Sequence, residues 1–152
     1  MSEENEQRVA RAREMAQRSG GGLPYTRALS LEFLEASDGY IKYRLPLNEH
    51  TTGPDGMMAS GALLTVVDHT GSLAAWMTAD FGNPRYFGST VKTQMDRFVH
   101  DVGDEVTAEG RALSVQGELI NSEVKIFAQD GRIVAQGSTI YRIIDRGEQA
   151  PR

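Results

Sequence analysis

The amino-acid sequence predicts an α+β domain in which an antiparallel β-sheet wraps around one long central α-helix. The first observation behind this prediction is the stretch from Ser60 to Asp80, which contains no proline and has apolar residues on almost every side. A helix that is apolar nearly all round is normally buried on most sides. The second observation is the order of elements, because strand-like segments joined by short turns lie on both sides of this single helix. One buried helix then has to pack on one face of the sheet.

Composition restricts the class of protein. The 152 residues suit one domain with short extensions, and 39% apolar and 24% charged residues are ordinary for a globular protein. A net charge of −5 argues against a nucleic-acid partner. The absence of cysteine excludes disulfides and thiol catalysis, and three scattered histidines do not suggest a metal site. The polar N-terminus and the lack of a long apolar run predict a cytoplasmic protein with no membrane partner.

The N-terminal region, residues 2–18, is charged and helix-prone, with acidic residues leading and arginines following, as suits the helix dipole. We expect a surface helix that ends at the glycines of residues 20–22. A solvated face is favoured here over a partner-binding one. The predicted organisation is this N-terminal helix and glycine linker over 1–22, one domain over 23–145, and a disordered tail over 146–152.

Two strands are predicted before the central helix, at residues 28–36 and 40–46, joined around Asp38-Gly39. In the second strand, polar and apolar side chains alternate. Residues 47–59 follow as a loop, with Gly53-Pro54-Asp55-Gly56 at its centre. This loop leads directly into the N-terminus of the long helix.

Strands account for the last third of the chain, and short turns such as Asp130-Gly131 join them. Consecutive hairpins predict a four-stranded antiparallel meander. The four predicted strands are residues 88–99, 105–115, 118–129 and 132–144.

The central helix carries the polar residues of most interest. Ser60 is the predicted N-cap, whose hydroxyl would accept a hydrogen bond from a first-turn amide. Asp68 interrupts the apolar run, and a carboxylate there is costly unless it is paired or has a function. A structural hydrogen-bond acceptor or an ion-pair partner is the alternative to a functional acid. His69 lies about 100° further round the helix and is interpreted as a satisfied, partly buried histidine rather than a catalytic base.

The element order is the outline of the hotdog architecture, and the sequence also resembles a family with that fold. The segment GMMASGALLTVVDHTGS resembles the hotdog acyl-CoA thioesterases of the phenylacetate-degradation type and of the 4-hydroxybenzoyl-CoA thioesterase type with an acid on the central helix. The segments GSTVKTQMDRFV, VGDEVTAEGRAL and DGRIVAQGSTIYRI extend the match over about residues 24–144.

The resemblance implies hydrolysis of an acyl-CoA thioester, with coenzyme A as part of the substrate and no other cofactor. Asp68 would activate water or attack the carbonyl, and the Ser60 N–H would bind the carbonyl oxygen. Ser72 and Thr90 would support the acid, although each is equally well a small residue tolerated in a core. The implied substrate-binding positions are Gly53, Met58, Ala59 and Gly61.

Spacing on the helix adds a prediction about assembly. Asp68 lies eight residues after Ser60, which is roughly 12 Å along an α-helix. The two groups would meet on one substrate only if the helix of a second subunit runs nearby in the opposite sense. The expected assembly is therefore a homodimer, or a dimer of dimers, with shared sites, as the resemblance also implies.

Departures from the family motif leave the function open. The motif histidine is Ala59, and the position of its Asn or Gln falls near Thr52 or Gly53, with Asn48 and His50 close in sequence. A non-catalytic acyl-CoA or acyl-ligand binding protein is therefore the alternative to the enzyme, and a hydratase or dehydratase fits less well. The cations available for the phosphates of coenzyme A are Arg85, Lys92, Arg97, Arg111, Lys125 and Arg132.

Overall fold

The structure of the protein, a computed structural model, describes residues 1–147. The predicted disordered tail lies outside the described residues from position 148 onward, and the domain boundaries stay a prediction. The elements are α1 (Glu3–Gly22), α2 (Pro24–Ala28), β1 (Glu32–Ser37), β2 (Tyr40–Pro46), α3 (Ser60–Trp76), β3 (Tyr86–Arg97), β4 (Glu105–Gln116), β5 (Leu119–Ala128) and β6 (Ile133–Asp145).

The six strands form one antiparallel sheet in the order β1-β2-β4-β5-β6-β3. The predicted meander is correct for β4 to β6 but wrong for β3, which pairs with β6, for example Thr93 opposite Thr139. The segment after β3 makes no hairpin, because the amides of Phe98 and Val99 bond to the Val134 carbonyl at the start of β6. The chain then crosses to β4, and β3 is left as an edge strand.

The long helix α3 packs on one face of this sheet, as predicted, and the hotdog architecture is confirmed. Leu63, Val66 and Val67 are completely buried between the helix and the sheet. The approach is close, since a Cβ on Gly137 of β6 would lie 2.6 Å from a methyl carbon of Val67. A side chain at position 137 would therefore push the helix away from the sheet.

The central helix ends at Trp76, four residues earlier than the predicted Asp80. At this end, hydrogen bonds between residues three apart replace the usual helical bonds between residues four apart. Both the amide and the hydroxyl of Thr78 donate to the Ala75 carbonyl. The threonine thereby competes with continuation of the helix.

The N-terminal helix α1 is anchored at this end of α3 and is not only a solvated surface helix. Ala12 and Ala16 are completely buried. Arg8 donates to the Met77 carbonyl at 2.9 Å and pairs with Asp38 at 2.6 Å. The helix ends at Gly22, within the glycines at which the sequence predicted its end. Sequence periodicity did not show this docking, because the buried stripe consists of small alanines.

A second short helix, α2, was not predicted and occupies residues assigned in part to the first strand. Pro24 occupies the first turn, where its missing N–H costs nothing. The first strand therefore begins at Glu32 instead of residue 28. Among the described residues, no helix is both long enough and apolar enough to cross a membrane.

Candidate active site

Asp68 lies half-buried on the side of α3 that faces β3. Its Oδ1 accepts hydrogen bonds from the hydroxyls of Thr90, at 2.8 Å, and Thr93, at 2.7 Å. Within residues 1–147, Oδ2 has no hydrogen-bond partner. One carboxylate oxygen is thus fixed by the protein, and the other is available to water or to a ligand.

An irregularity in β3 brings both threonines to the same carboxylate. Residues three apart in a regular strand point to opposite faces of a sheet. The register of β3 against β6 shifts between Thr90 and Lys92, where one extra residue is inserted. Such a bulge reverses the alternation, so that Thr90 and Thr93 face α3 together. Thr93 was missed in the sequence because alternation alone places it away from Thr90.

Ser72 belongs to the same cluster but does not touch the acid directly. Its hydroxyl is 3.3 Å from the Thr90 hydroxyl, and the residue is buried. The three residues proposed from the sequence, Asp68, Ser72 and Thr90, therefore lie together. The hydroxyl chain orients Thr90, and Thr90 in turn orients the carboxylate.

Ser60 does not cap the helix, contrary to the sequence prediction. The N-cap is Ala59, whose backbone is extended with φ −66° and ψ 141°, and no side chain caps the helix. The Ser60 hydroxyl instead accepts a hydrogen bond from Arg97 at 2.9 Å. The Ser60 amide has no acceptor within the described residues. A free amide at the positive end of a helix is suited to bind a developing negative charge.

Arg97 holds a positive charge beside this amide. Its guanidinium also donates to the backbone carbonyls of Val99 and His100. No carboxylate of residues 1–147 lies within 4.0 Å of the Arg97 guanidinium. The carboxylate of Asp55 pairs with the His100 ring instead. The Met57 amide and the His100 ring, which bond to this carboxylate, lower the pKa of Asp55.

The loop before α3 holds the remaining positions proposed from the sequence. Gly53 donates to the Met57 carbonyl at 2.7 Å, which closes the loop on itself. Met58 is buried in the core, whereas a Cβ on Gly61 in the first helical turn would meet nothing within 4 Å. Of the four positions, Ala59 and Gly61 therefore lie beside the Ser60 amide. A contact of Gly53 or Met58 with substrate stays a prediction.

Asn48 does not replace the missing amide side chain of the family motif. Its Nδ2 donates to the Leu29 carbonyl at 3.1 Å, and its Oδ1 accepts from the His50 amide at 2.8 Å. His50 itself is exposed beside Glu49. Within the described residues, no group of three or more His, Cys, Asp or Glu side chains is placed to hold a metal ion.

Comparison with known proteins finds similarity at the level of structure. No protein-family model and no curated protein sequence matches the chain. A solved protein of the thioesterase superfamily is 24% identical with TM-score 0.76, over 86% of this chain and 97% of the other. A thioesterase from Haemophilus influenzae is 14% identical with TM-score 0.78, over 88% and 92%.

A thioesterase family protein from Silicibacter pomeroyi is 16% identical with TM-score 0.77, over 87% of this chain and 97% of the other. At these identities the likeness establishes the fold and leaves the chemistry to the residues of the site. The chain has the hotdog fold, and its structural neighbours are proteins of the thioesterase superfamily.

Proposed function

We propose that the protein hydrolyses an acyl-CoA thioester to the free acid and coenzyme A, with Asp68 as general base or nucleophile. The observation that carries the proposal is the asymmetric carboxylate, with Oδ1 held by two threonines and Oδ2 open. A carboxylate that is positioned in this way can take a proton from water or attack a carbonyl carbon itself. The likeness to thioesterase-superfamily structures supports the choice of reaction.

In the general-base route, water adds to the thioester carbonyl carbon while Asp68 takes its proton. The carbonyl oxygen becomes an oxyanion, which a Ser60 N–H stabilises. When the tetrahedral intermediate collapses, the carbon–sulfur bond breaks and the proton passes to the departing thiolate. In the nucleophilic route, the Asp68 carboxylate attacks the carbonyl carbon, the carbon–sulfur bond breaks to release the thiolate, and an anhydride forms. Water then hydrolyses the anhydride to the free acid and the Asp68 carboxylate, and a proton from this water passes to the thiolate.

The proposed site needs two copies of the chain. Ser60 and Asp68 of one helix are about 12 Å apart along its axis, too far to act on one carbonyl. The edge strand β3 leaves Phe87 and Val91 about half exposed, and Leu64 of α3 is 40% exposed. A two-fold dimer through this region would cover these side chains and bring Asp68 of one subunit to the Ser60 amide of the other. A homodimer and a dimer of dimers both satisfy this requirement.

In this proposal, the positively charged Arg97 takes the place of the two polar side chains that the altered motif lacks. Alanine at position 59 offers no imidazole, and the Asn48 amide is occupied. The Arg97 guanidinium, which lies against Ser60, uses three of its five N–H groups on the protein. The remaining two are available to the oxyanion or to a phosphate of coenzyme A.

The test is thiol release from a panel of aromatic and aliphatic acyl-CoAs by the wild type and by Asp68→Asn. We expect turnover of at least one substrate and its loss in the variant, with binding of the ester retained. The matched control is Asp104→Asn, because Asp104 is exposed in the loop before β4. Equal turnover by wild type and Asp68→Asn would refute the role of the acid.

The alternative is a non-catalytic acyl-CoA binding protein. The absence of the motif histidine at position 59 and of the motif Asn or Gln in the preceding loop favours this alternative. Binding of CoA esters without thiol release by the wild type, across the whole panel, would establish this alternative.

A further inference from the structure

Tyr25 lies over the central helix next to the candidate acid, although it belongs to the short helix α2. Its hydroxyl is 2.8 Å from Nδ1 of His69, and the two rings meet edge to face with centroids 5.8 Å apart. Thr26 is completely buried and fixes α2 in place, whereas Tyr25 is 46% exposed. The phenol is therefore held at its hydroxyl, although nearly half of the residue's surface remains exposed.

His69 is the anchor, and its chemistry determines which way the hydrogen bond runs. The residue is 3% exposed, and its Nε2 has no partner within residues 1–147. Burial lowers the pKa of His69 to about 4, against the opposing charge of Asp68, so the ring is neutral at pH 7. A neutral imidazole has one N–H, and a buried N–H without an acceptor is rarer than a buried unpaired acceptor. The proton therefore belongs on Nδ1, where it is donated to Tyr25.

This direction leaves the hydrogen of the Tyr25 hydroxyl free for another acceptor. Burial and then the charge of Asp68 raise the pKa of Tyr25, so the phenol is protonated at neutral pH. The same two causes raise the pKa of Tyr141, while the Trp76 hydrogen bond lowers it. Both phenols are thus within electrostatic range of Asp68, and Trp76 donates to the Tyr141 hydroxyl.

The chemistry around Tyr25 suits the acyl part of a thioester rather than coenzyme A. The ring that meets Tyr25 is the neutral imidazole of His69, which the Tyr43 ring also contacts with centroids 5.0 Å apart, and the charge that acts on Tyr25 is the negative one of Asp68. Phosphates would be repelled there, whereas an aromatic wall favours an uncharged organic group. A free phenol hydroxyl in such a wall distinguishes groups that accept a hydrogen bond from those that do not.

On the basis of the proposed function, we propose that Tyr25, positioned by His69, is a specificity residue that donates a hydrogen bond to an oxygen on the acyl group. The protein then prefers acyl groups that carry a hydroxyl oxygen over the corresponding hydrocarbons. Tyr25 takes no part in the proton transfers at Asp68.

The test compares matched substrates that differ by one hydroxyl: hexanoyl-CoA with its 3-hydroxy and 6-hydroxy counterparts, and benzoyl-CoA with its ring-hydroxylated counterparts. In the wild type, kcat/KM should favour one hydroxylated member by about 3- to 10-fold, as expected for one hydrogen bond. Tyr25→Phe should reduce this ratio to about one while it leaves turnover of the hydrocarbon substrate nearly unchanged. A merely structural role of Tyr25 would lower both members of a pair equally.

Tyr40→Phe is the control, because the Tyr40 hydroxyl bonds to Glu35 at the surface of β2. His69→Leu is the second variant and should also reduce the ratio, because the hydroxyl loses its anchor. A ratio near one in the wild type, or an unchanged ratio in Tyr25→Phe, would overturn this inference alone. No thiol release by the wild type from any of these esters would overturn the proposed function, and the inference with it.

Discussion

Two glycines of the central helix test how closely it lies on the sheet. Gly71 faces β5 and β6, where a Cβ would lie 2.7 Å from Thr139 Cβ and 3.4 Å from a Val124 methyl carbon. Both of these neighbours are completely buried. Carbon atoms normally approach no closer than about 3.5 Å, so Gly71→Ala forces the helix or the sheet to move by roughly 1 Å. Gly61 of the same helix has open space at its Cβ position and serves as the matched control.

The expected effects have opposite signs. Overpacking a core costs about 1–3 kcal/mol, and alanine regains about 1 kcal/mol of helix propensity. Gly71→Ala should therefore lower the free energy of unfolding by up to about 2 kcal/mol. Gly61→Ala should leave it unchanged or raise it by up to about 1 kcal/mol.

Urea unfolding at one fixed protein concentration, followed by circular dichroism, measures both effects. The m-value should be the same in the wild type and both variants, which would show that the change lies in stability. If Gly71→Ala is as stable as Gly61→Ala, the close contact of α3 with β6 described here is wrong.

Three further predictions concern the site. Thr93→Val should lower kcat by about 10-fold or more, because it removes a hydrogen bond to the charged Asp68 that is worth about 1.5–3 kcal/mol. Steady-state kinetics measures this effect, and an unchanged kcat would contradict the prediction. Burial in the folded state lowers the pKa of His69 from 6.5 to about 4. Between pH 4 and pH 6.5 the unfolded chain therefore binds one more proton than the folded chain. About 3 kcal/mol of stability should be lost as pH falls from 6.5 to 4. Urea unfolding against pH should show a shallower slope in His69→Leu, and an identical slope would refute the assignment. Arg97→Ala should lower kcat/KM for acyl-CoA by about 10-fold or more, whereas Arg132→Ala, which removes a surface pair with Asp130, should not.

Local patterns predicted most of the elements and part of the site. The all-round apolar stretch identified α3, and alternation identified β2 and β5, whose inward residues are buried. Helical spacing placed Ser72 on the same face as Asp68, and the resemblance placed Thr90 near the acid. These features depend on residues close in sequence or on a motif, and they could therefore be predicted from the sequence alone.

Features that depend on distant pairing were not predictable in the same way. Pairing of β3 with β6 is a long-range choice that no local turn specifies. The bulge that brings Thr93 to Asp68 adds one residue without any glycine or proline to mark it. The hydroxyl of Ser60 bonds to Arg97, 37 residues away, instead of capping its own helix. Tyr25 reaches His69 only because α1 packs against β1 and brings the following helix α2 beside α3.

In the proposed dimer, each site combines Asp68 of one subunit with the Ser60 amide of the other. Ser60→Pro removes that amide at the first helical position, where proline is well tolerated. The extended backbone of Ala59 already suits a following proline. Ser60→Ala keeps the amide and is the control, so it should retain most of the activity.

The decisive measurement is thiol release by an equal mixture of Asp68→Asn and Ser60→Pro that has been unfolded and refolded together. Each variant alone should be nearly inactive. In a shared-site dimer, half of the refolded dimers are mixed and each of these has one intact site, so the mixture should recover roughly a quarter of the wild-type activity. If the mixture is no more active than the two variants refolded separately, the site is not shared between subunits.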